Sequence, residues 1–135
     1  MSIEKRILKD YRTIAMVGLS PNPTRPSHIV ASYLKENGYK IIPVNPRAGE
    51  ILGEISYPNL SSIPEQVDVV DIFRRSHEVP AIVQGAITVG AKAVWMQEGV
   101  KHVEAAEQAR KAGLLVVMDR CMFKEHRRLG ETESD

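Results

Sequence analysis

The sequence predicts an α/β protein built on a parallel, doubly wound sheet with helices on both faces. Five short apolar runs rich in β-branched residues recur about 25 residues apart, which is the spacing of successive βα units. Helical patterns of apolar residues fill most of the intervening segments. The chain has 135 residues, and alternating strands and helices in one domain of this length are typical of a parallel sheet.

Most of the strand candidates are continuous apolar runs, as strands covered on both faces should be. The candidates are TIAMV (13–17), KIIPV (40–44), VDVVDIF (67–73), KAVWM (92–96) and LLVVM (114–118). The third run is the exception, because it contains Asp68 and Asp71. These two acids predict that the third strand is a less protected edge strand.

Helical periodicity predicts three helices between the strands, at residues 26–37, 79–89 and 102–112, and a glycine follows each of them. The last of these stripes is mostly alanine, so that helix is expected to lie close to the sheet. An amphipathic helix is predicted at residues 3–10 and a basic helix at residues 122–129.

The segment between the second and third strands has no helical period. It is rich in glycine, proline and serine, and we predict a long crossover with at most a short helix.

Composition and charge exclude several classes of protein. The net charge of +1 provides no broad positive field for nucleic acid. The single cysteine, Cys121, excludes an internal disulfide framework and fits a reducing compartment. The charged N-terminus lacks the apolar core of a secretory signal, and no apolar run approaches the roughly 20 residues of a membrane helix. We expect a cytoplasmic protein with one domain at residues 1–130 and a flexible acidic tail at residues 131–135.

The turns after the first two strands do not fit a dinucleotide fingerprint. Parallel sheets bind ligands at the carboxyl ends of their strands, so the turns there decide the function. The first turn reads GLSPNP (18–23) and has only the first glycine of G-x-G-x-x-G. The second strand ends in VNPR (44–47), without the acid that holds the ribose of NAD and with an arginine that suits a phosphorylated ribose. Two separate requirements for NAD are therefore unmet.

The first turn still suits a phosphate group. Ser20 offers a hydroxyl, and Arg25 offers a guanidinium fork. Pro26 fits the first position of a helix, and Ser27 follows at the positive end of that helix. The same residues also make an ordinary helix start, so both interpretations stay open.

The other turns each allow a functional and an ordinary structural interpretation. Arg47 could contact a ribose phosphate, or it could be a solvated arginine in an ordinary turn. Phe73 suits a purine or an alkyl chain, and Arg74 suits a phosphate, although adjacent arginines usually lie in solvent. Gln97 suits the amide groups of a ligand or a plain turn. Cys121 is interpreted as a small buried residue rather than a reactive thiol.

No catalytic arrangement is recognisable in the sequence. The four histidines lack metal-ligand spacing and are assigned to surface or capping roles. Neither a G-x-S-x-G elbow nor a Walker A sequence is present. This pattern favours binding over catalysis.

Taken in order, the segments resemble the small single-domain CoA-binding proteins, which are similar to the N-terminal domain of the succinyl-CoA synthetase α subunit. The segments that carry the resemblance are IAMVGLSPNPTRPSHIVASYLKENGYKIIPVNP, ILGEISYPNLSSIP, VDVVDIFRRSHEVP, GAKAVWMQEGV and ARKAGLLVVMDRCM. The resemblance covers residues 7–129 and implies a Rossmann-like fold of five mainly parallel strands. It also implies that the ligand is coenzyme A.

By that resemblance, the CoA site is built from the first four turns. The residues that match it are Gly18, Leu19, Ser20 and Arg25 for the phosphate loop, Val44, Asn45, Pro46 and Arg47 near adenine and the 3′-phosphate, Phe73 and Arg74 at the third turn, and Gln97 near the pantetheine arm. Cys121 falls where the synthetase has a cysteine near the thiol end, but DRC replaces its proline-asparagine-cysteine run. The synthetase domain that carries the phosphorylated histidine has no counterpart, so the resemblance implies binding and gives no support for ligase activity.

Three functions remain open at this point. The first is a non-catalytic protein that binds CoA or an acyl-CoA. The second is an NADP-linked or acyl-CoA-handling enzyme component that acts with a partner subunit; Arg47 is compatible with NADP, but the missing glycines disfavour it. The third is a ligand-free interaction protein. A homodimer formed through the third strand or the final helix, or an unknown protein partner, is also open, whereas nucleic acid and membrane are not expected as partners.

Overall fold

All five apolar runs form strands of one parallel sheet. In the computed structural model, which describes residues 1–133, the elements are α1 (Ile3–Asp10), β1 (Thr13–Val17), α2 (Pro26–Glu36), β2 (Lys40–Val44), β3 (Glu50–Ile51), β4 (Glu54–Ile55), β5 (Val69–Ile72), α3 (Val79–Thr88), β6 (Ala93–Met96), α4 (Val103–Lys111), β7 (Leu115–Val117) and α5 (Met122–Glu133). The sheet order is β2-β1-β5-β6-β7, and every pairing is parallel. The strand order reverses between β1 and β5, where such sheets open a ligand crevice. The predicted Rossmann-like α/β fold is confirmed.

Helices cover both faces of the sheet. Helices α1, α2 and α5 pack on one face around buried side chains such as Met16. Helices α3 and α4 pack on the other face around side chains such as Val94. The alanine stripe of α4 is buried there, at Ala105, Ala106 and Ala109. Small side chains bring this helix close to the sheet, as its composition predicts.

Most helix boundaries agree with the periodicity to within one or two residues. Helix α1 spans the predicted residues, and α2 begins at Pro26 and ends one residue earlier than predicted. Helix α5 continues to Glu133, beyond the end of its basic stripe at residue 129. Residues 134 and 135 lie outside the described part of the chain, so the predicted tail stays a prediction. Across residues 1–133, none of the helices has the length and apolar character needed to cross a bilayer.

The prediction that the third strand lies at an edge is wrong. Strand β5 is the central strand, between β1 and β6, and the edges are β2 and β7. Asp68 precedes the strand, and its carboxylate accepts a hydrogen bond from the backbone N–H of Thr13 at 3.2 Å. Asp71 is fully buried and accepts a hydrogen bond from Gln97 at 2.6 Å. Because both edges of β5 are already hydrogen-bonded, to β1 and to β6, a dimer cannot form by strand pairing at β5.

The crossover after β2 contains a β-hairpin that the sequence pattern did not predict. Strands β3 and β4 pair antiparallel, and the two turn residues, Leu52 and Gly53, have φ angles of 55° and 76°. Two positive φ angles are typical of a type I′ turn. Lys35 of α2 holds this hairpin, because its Nζ donates to the Leu52 carbonyl at 2.5 Å and lies 3.0 Å from the Glu54 carboxylate. A 3₁₀ turn at Leu60–Ser62 supplies the short helix that was expected.

Candidate functional site

A cleft of about 1200 Å³ opens at the carboxyl ends of β1, β2 and β5, where the strand order reverses. We call it the switch-point cleft. Its lining residues are Val17, Gly18, Ser20, Arg25, Pro26, Ser27, Val44, Asn45, Pro46, Arg47, Pro58, Phe73, Arg74, Arg75, His77, Glu78, Ala81, Ile82 and Val100. The lining therefore carries four arginines and one carboxylate, together with an apolar wall from α3 and the loop after β6.

Gly18 lets the first turn lie directly against the third. Its φ is +91°, and its backbone N–H donates to the Val44 carbonyl at 3.0 Å. A Cβ at this position would lie 2.3 Å from the Phe73 carbonyl oxygen and 2.8 Å from Cδ of Arg74. Only glycine accommodates both this backbone conformation and this approach. The glycine therefore brings the turns of β1 and β5 together at the floor of the cleft.

The first turn is held in one shape by its own hydrogen bonds. The Ser20 N–H donates to Oγ of Ser27 at 3.0 Å, and the Asn22 N–H donates to Oγ of Ser20 at 3.1 Å. Nδ1 of His28 donates to the Ser20 carbonyl at 2.9 Å. Ser27 is only 4% exposed, so its hydroxyl mainly braces the loop. The stretch is a well-formed helix start and also a rigid wall of the cleft.

The start of α2 gives this wall a positive electrostatic character. Pro26 occupies the first turn of the helix, and both Pro26 and Ser27 line the cleft. Unpaired N–H groups at a helix N-terminus attract anions. Arg25, the N-cap residue, is exposed beside them. This end of the cleft is suited to a phosphate group.

Asn45 connects the first and second turns. Its Nδ2 donates to the Leu19 carbonyl at 2.9 Å, and its Oδ1 accepts from the Arg47 N–H at 2.9 Å. The Leu19 side chain is buried in the core, so only its backbone contributes to the site. Pro46 and Arg47 remain exposed at the rim of the cleft.

The third turn carries an aromatic ring and an ion pair. Phe73 is half-buried and its N–H donates to the Val17 carbonyl at 2.9 Å. Nη2 of Arg74 donates to Oε1 of Glu78 at 2.6 Å, and Oε2 of Glu78 accepts from the Arg75 N–H at 3.2 Å. The hydrogen bond from Arg74 lowers the pKa of the Glu78 carboxyl from its ordinary value. Glu78 is therefore a fixed anion beside Arg74 in the cleft.

The structure does not bring Gln97 to the cleft. Its side chain is 2% exposed, donates to Oδ1 of Asp71 and accepts from the Met122 N–H at 3.2 Å. It links β5, β6 and the start of α5. Burial raises the pKa of Asp71 to about 7. Within the described residues, the other oxygen of Asp71, Oδ2, has no hydrogen-bond partner.

The cysteine and most of the histidines lie away from the cleft. Cys121 is half-buried just before α5 and is not a lining residue. His102 caps α4, because its Nδ1 accepts from the Ala105 N–H at 3.1 Å. His126 bonds to the Tyr33 hydroxyl at 2.7 Å, and His77 lines the cleft. Among the described residues, no three or more His, Cys, Asp or Glu side chains are grouped to hold a metal ion.

Several lining residues were missed by the sequence reasoning. They are Val17, Pro58, Arg75, His77, Glu78, Ala81, Ile82 and Val100. Most of them lie at or just before the first turn of α3, which follows β5 after a short loop. A helix that starts so soon after a strand places its first turn beside the carboxyl edge of the sheet, and this signal was available. Pro58 had no such signal, because it follows Tyr57, whose backbone pairs with the end of β2, and this tertiary pairing was not predicted.

Of the predicted site residues, nine line the switch-point cleft and two do not. The exceptions are Leu19 and Gln97, whose side chains are buried. The three predicted arginines line the same cleft, which is open above the sheet. The structure is thus a parallel α/β sheet with a cationic cleft and a helix N-terminus at its switch point, an arrangement that suits phosphate-bearing ligands.

Comparison with known families makes the assignment more specific. A family model described as a CoA binding domain matches residues 12–127. The chain therefore belongs to the CoA binding domain family, as its sequence motifs indicated.

Individual relatives share the sequence or the fold over most of this chain. The chain is 38% identical over 122 residues to the uncharacterized protein YneT of Bacillus subtilis, with 90% of each protein covered. A solved structure of a hypothetical protein from Pyrococcus horikoshii is 43% identical, with a TM-score of 0.92 over 96% of this chain and 92% of that one. The chain is also 31% identical to the ADP-forming acetate–CoA ligase II of Archaeoglobus fulgidus, across 78% of this chain but only 17% of the ligase.

Proposed function

We propose that this protein binds coenzyme A or an acyl-CoA in the switch-point cleft and does not by itself catalyse a reaction. One observation carries the proposal: Arg25, Arg47 and the start of α2 line a single open cleft at the switch point of a chain in this family. Within the described residues, neither of these guanidinium groups has an ion-pair partner. Both are therefore available to a bound anion.

The chemistry of the cleft matches the chemistry of the ligand. CoA is a 3′-phosphorylated ADP joined to a long, uncharged arm. Its phosphates need a few localised cations and a helix N-terminus. Its arm needs a groove with apolar walls, which Ala81, Ile82 and Val100 offer on the side of α3. A chain with a net charge of +1 provides these cations locally rather than through a general positive field.

A second candidate is an acyl-CoA-handling component that acts with a partner subunit. The observation in its favour is the 31% identity to an acetate–CoA ligase, of which this chain matches a small part. In that case the chain supplies the CoA site and another protein supplies the reacting groups. Both candidates require CoA binding, so the first test is the same for both.

A thermal-shift panel of CoA, acetyl-CoA, NADP, NAD and ATP tests the choice of ligand. A ligand present at 100 times its Kd stabilises the fold by about 2.7 kcal/mol, which is a shift of several degrees. We expect such a shift with CoA and acetyl-CoA and smaller shifts with the others. A larger shift with NADP would favour a reductase, and no shift with any ligand would favour an interaction protein.

Replacing Arg47 by alanine is expected to lower the affinity for CoA by about 10-fold or more. The affinity for 3′-dephospho-CoA should fall much less. The reason is that a hydrogen bond between charged groups contributes about 1.5–3 kcal/mol, and only CoA has the 3′-phosphate. Isothermal titration calorimetry with both ligands measures the two ratios. Arg110→Ala, which removes an exposed arginine paired with Glu107 on α4, is the control and should change neither affinity. Equal losses for the two ligands would remove Arg47 from the 3′-phosphate role.

A further inference from the structure

The switch-point cleft contains one acidic side chain, Glu78, among four arginines. Glu78 faces Arg74 across an i,i+4 ion pair, with Nη2 at 2.6 Å and Nε at 3.3 Å from the same carboxylate oxygen. A phosphate-binding cleft gains nothing from a carboxylate, because like charges repel. The presence of this acid requires an explanation beyond phosphate binding.

Both members of the pair are held in place by other contacts. The second oxygen of Glu78 accepts from the Arg75 N–H at 3.2 Å. The stem of Arg74 runs across Gly18, since a Cβ there would lie 2.8 Å from Cδ of Arg74. Each side chain thus has a second contact besides the ion pair, and the two remain 47% and 31% exposed, for Arg74 and Glu78 respectively. The pair is therefore a fixed and nearly neutral part of the cleft wall.

Arg25 and Arg47, unlike Arg74, are not paired with a carboxylate in the described part of the chain. Within the described residues they have no ion-pair partner, and they lie at the first and second turns together with the start of α2. Glu78 thus offsets the charge of Arg74, whereas Arg25, Arg47 and the exposed Arg75 leave their charges to the cleft.

We propose that Glu78 sets the charge of the cleft: it neutralises Arg74 and so directs the ligand's phosphates to Arg25 and Arg47 at the first two turns, two arginines without a carboxylate partner among the described residues. This inference rests on the proposed function. It changes the role that sequence reasoning assigned to Arg74, from a phosphate ligand to one half of a neutral pair. Glu78 is then a specificity-determining residue, because removing its charge makes the whole cleft attractive to anions.

A double-mutant cycle of Glu78→Gln and Arg74→Gln tests the proposal by calorimetry with CoA. We expect Glu78→Gln to bind CoA about 3- to 10-fold more tightly, because Arg74 gains an uncompensated charge in the cleft. Arg74→Gln should bind CoA about 3- to 10-fold more weakly, because the carboxylate is left without its partner. The double variant should lie within about 3-fold of the wild type, since the paired charges are removed together.

The opposite role for Arg74 gives a different pattern. If Arg74 holds a phosphate directly and Glu78 only orients it, all three variants bind CoA more weakly than the wild type, and the proposal is overturned. An unchanged affinity in Glu78→Gln overturns it as well. Glu107→Gln is the matched control, because it also removes a carboxylate paired with an arginine on an exposed helix but lies outside the cleft lining. Glutamine in place of Glu78 keeps an oxygen that accepts from the Arg75 N–H, and thermal unfolding of each variant checks the fold.

A second probe separates this inference from the proposed function. If the wild type binds no CoA, the proposed function fails, and inorganic pyrophosphate then replaces CoA as the probe. Tighter pyrophosphate binding in Glu78→Gln than in the wild type and Glu107→Gln supports the role of Glu78 as a charge-setting group. No difference among the three proteins overturns it.

Discussion

Replacing Gly18 by alanine is expected to abolish measurable CoA binding and to lower the free energy of unfolding by about 3 kcal/mol. The added Cβ would lie 2.3 Å from the Phe73 carbonyl oxygen, which is a backbone atom and cannot rotate away. The turns of β1 and β5 must then separate. Because these turns form the floor of the switch-point cleft, the loss of stability and the loss of binding have the same cause. Urea unfolding and a CoA titration of the variant measure the two effects.

Gly38→Ala is the matched control for this prediction. Gly38 has the same φ of +91°, but a Cβ there has no neighbouring atom within 4 Å. The free energy of unfolding of this variant is expected to fall by only about 1 kcal/mol, which is the cost of placing alanine in the left-handed conformation. The variant should bind CoA as the wild type does. If the two variants lose equal stability and both still bind CoA, the close approach of the two turns is not what the site requires.

Replacing Asp71 by asparagine is expected to remove a large pH dependence of stability. Burial raises the pKa of this carboxyl from 3.8 to about 7 in the folded protein. The folded state then holds a proton that the unfolded state has released, so the wild type loses stability as the pH rises from about 4 to about 7. The shift corresponds to about 4 kcal/mol in full, of which roughly 2.5 kcal/mol falls between pH 5 and pH 8.

The comparison of the two proteins across pH gives the test. The asparagine side chain carries no titrating proton, so the stability of Asp71→Asn relative to the wild type should increase as the pH rises. Its amide still offers an oxygen to Gln97, which preserves the link between β5 and β6. Urea unfolding at several pH values from 5 to 8 measures the difference. Parallel stability profiles for the two proteins would show that Asp71 does not hold a proton in the fold.

The fold was predictable because its signals are local. Each strand is a short apolar run and each helix has its own periodicity, and neither signal depends on a distant residue. The order of the strands in the sheet, by contrast, depends on contacts between residues that are far apart in the chain. Asp71 indicates an edge strand until its partner is known, and that partner, Gln97, lies 26 residues further along the chain. A buried acid with a distant hydrogen bond cannot be distinguished from an exposed acid by local pattern.

The site was predictable to the extent that strand ends determine it. The residues after β1, β2 and β5 meet at one edge of the sheet because parallel strands place their carboxyl ends together. Which side chains face the cleft depends on packing that the sequence does not display. Gln97 follows a strand as Arg47 and Arg74 do, yet its amide is used inside the protein. Glu78 was missed although local signals were available, namely the start of α3 soon after β5 and the spacing of four residues from Arg74.

The hairpin after β2 shows a third kind of failure. Its turn is Leu52-Gly53, and Leu52 has a positive φ of 55° without being glycine, asparagine or aspartate. The usual sequence signals for such a turn are therefore absent. Contacts from Lys35 hold the hairpin in place, and these contacts are tertiary. The placement of Pro58 at the cleft was not predictable either, because it depends on the backbone pairing of Tyr57 with the end of β2.

The most direct test of the account is a calorimetric titration of the unmodified protein with CoA. We predict saturable binding of one CoA per chain at submillimolar concentration, with weaker binding of 3′-dephospho-CoA because its ribose lacks the phosphate assigned to Arg47. The absence of saturable heat with CoA at millimolar concentration would contradict it, and the cationic cleft would then need another ligand.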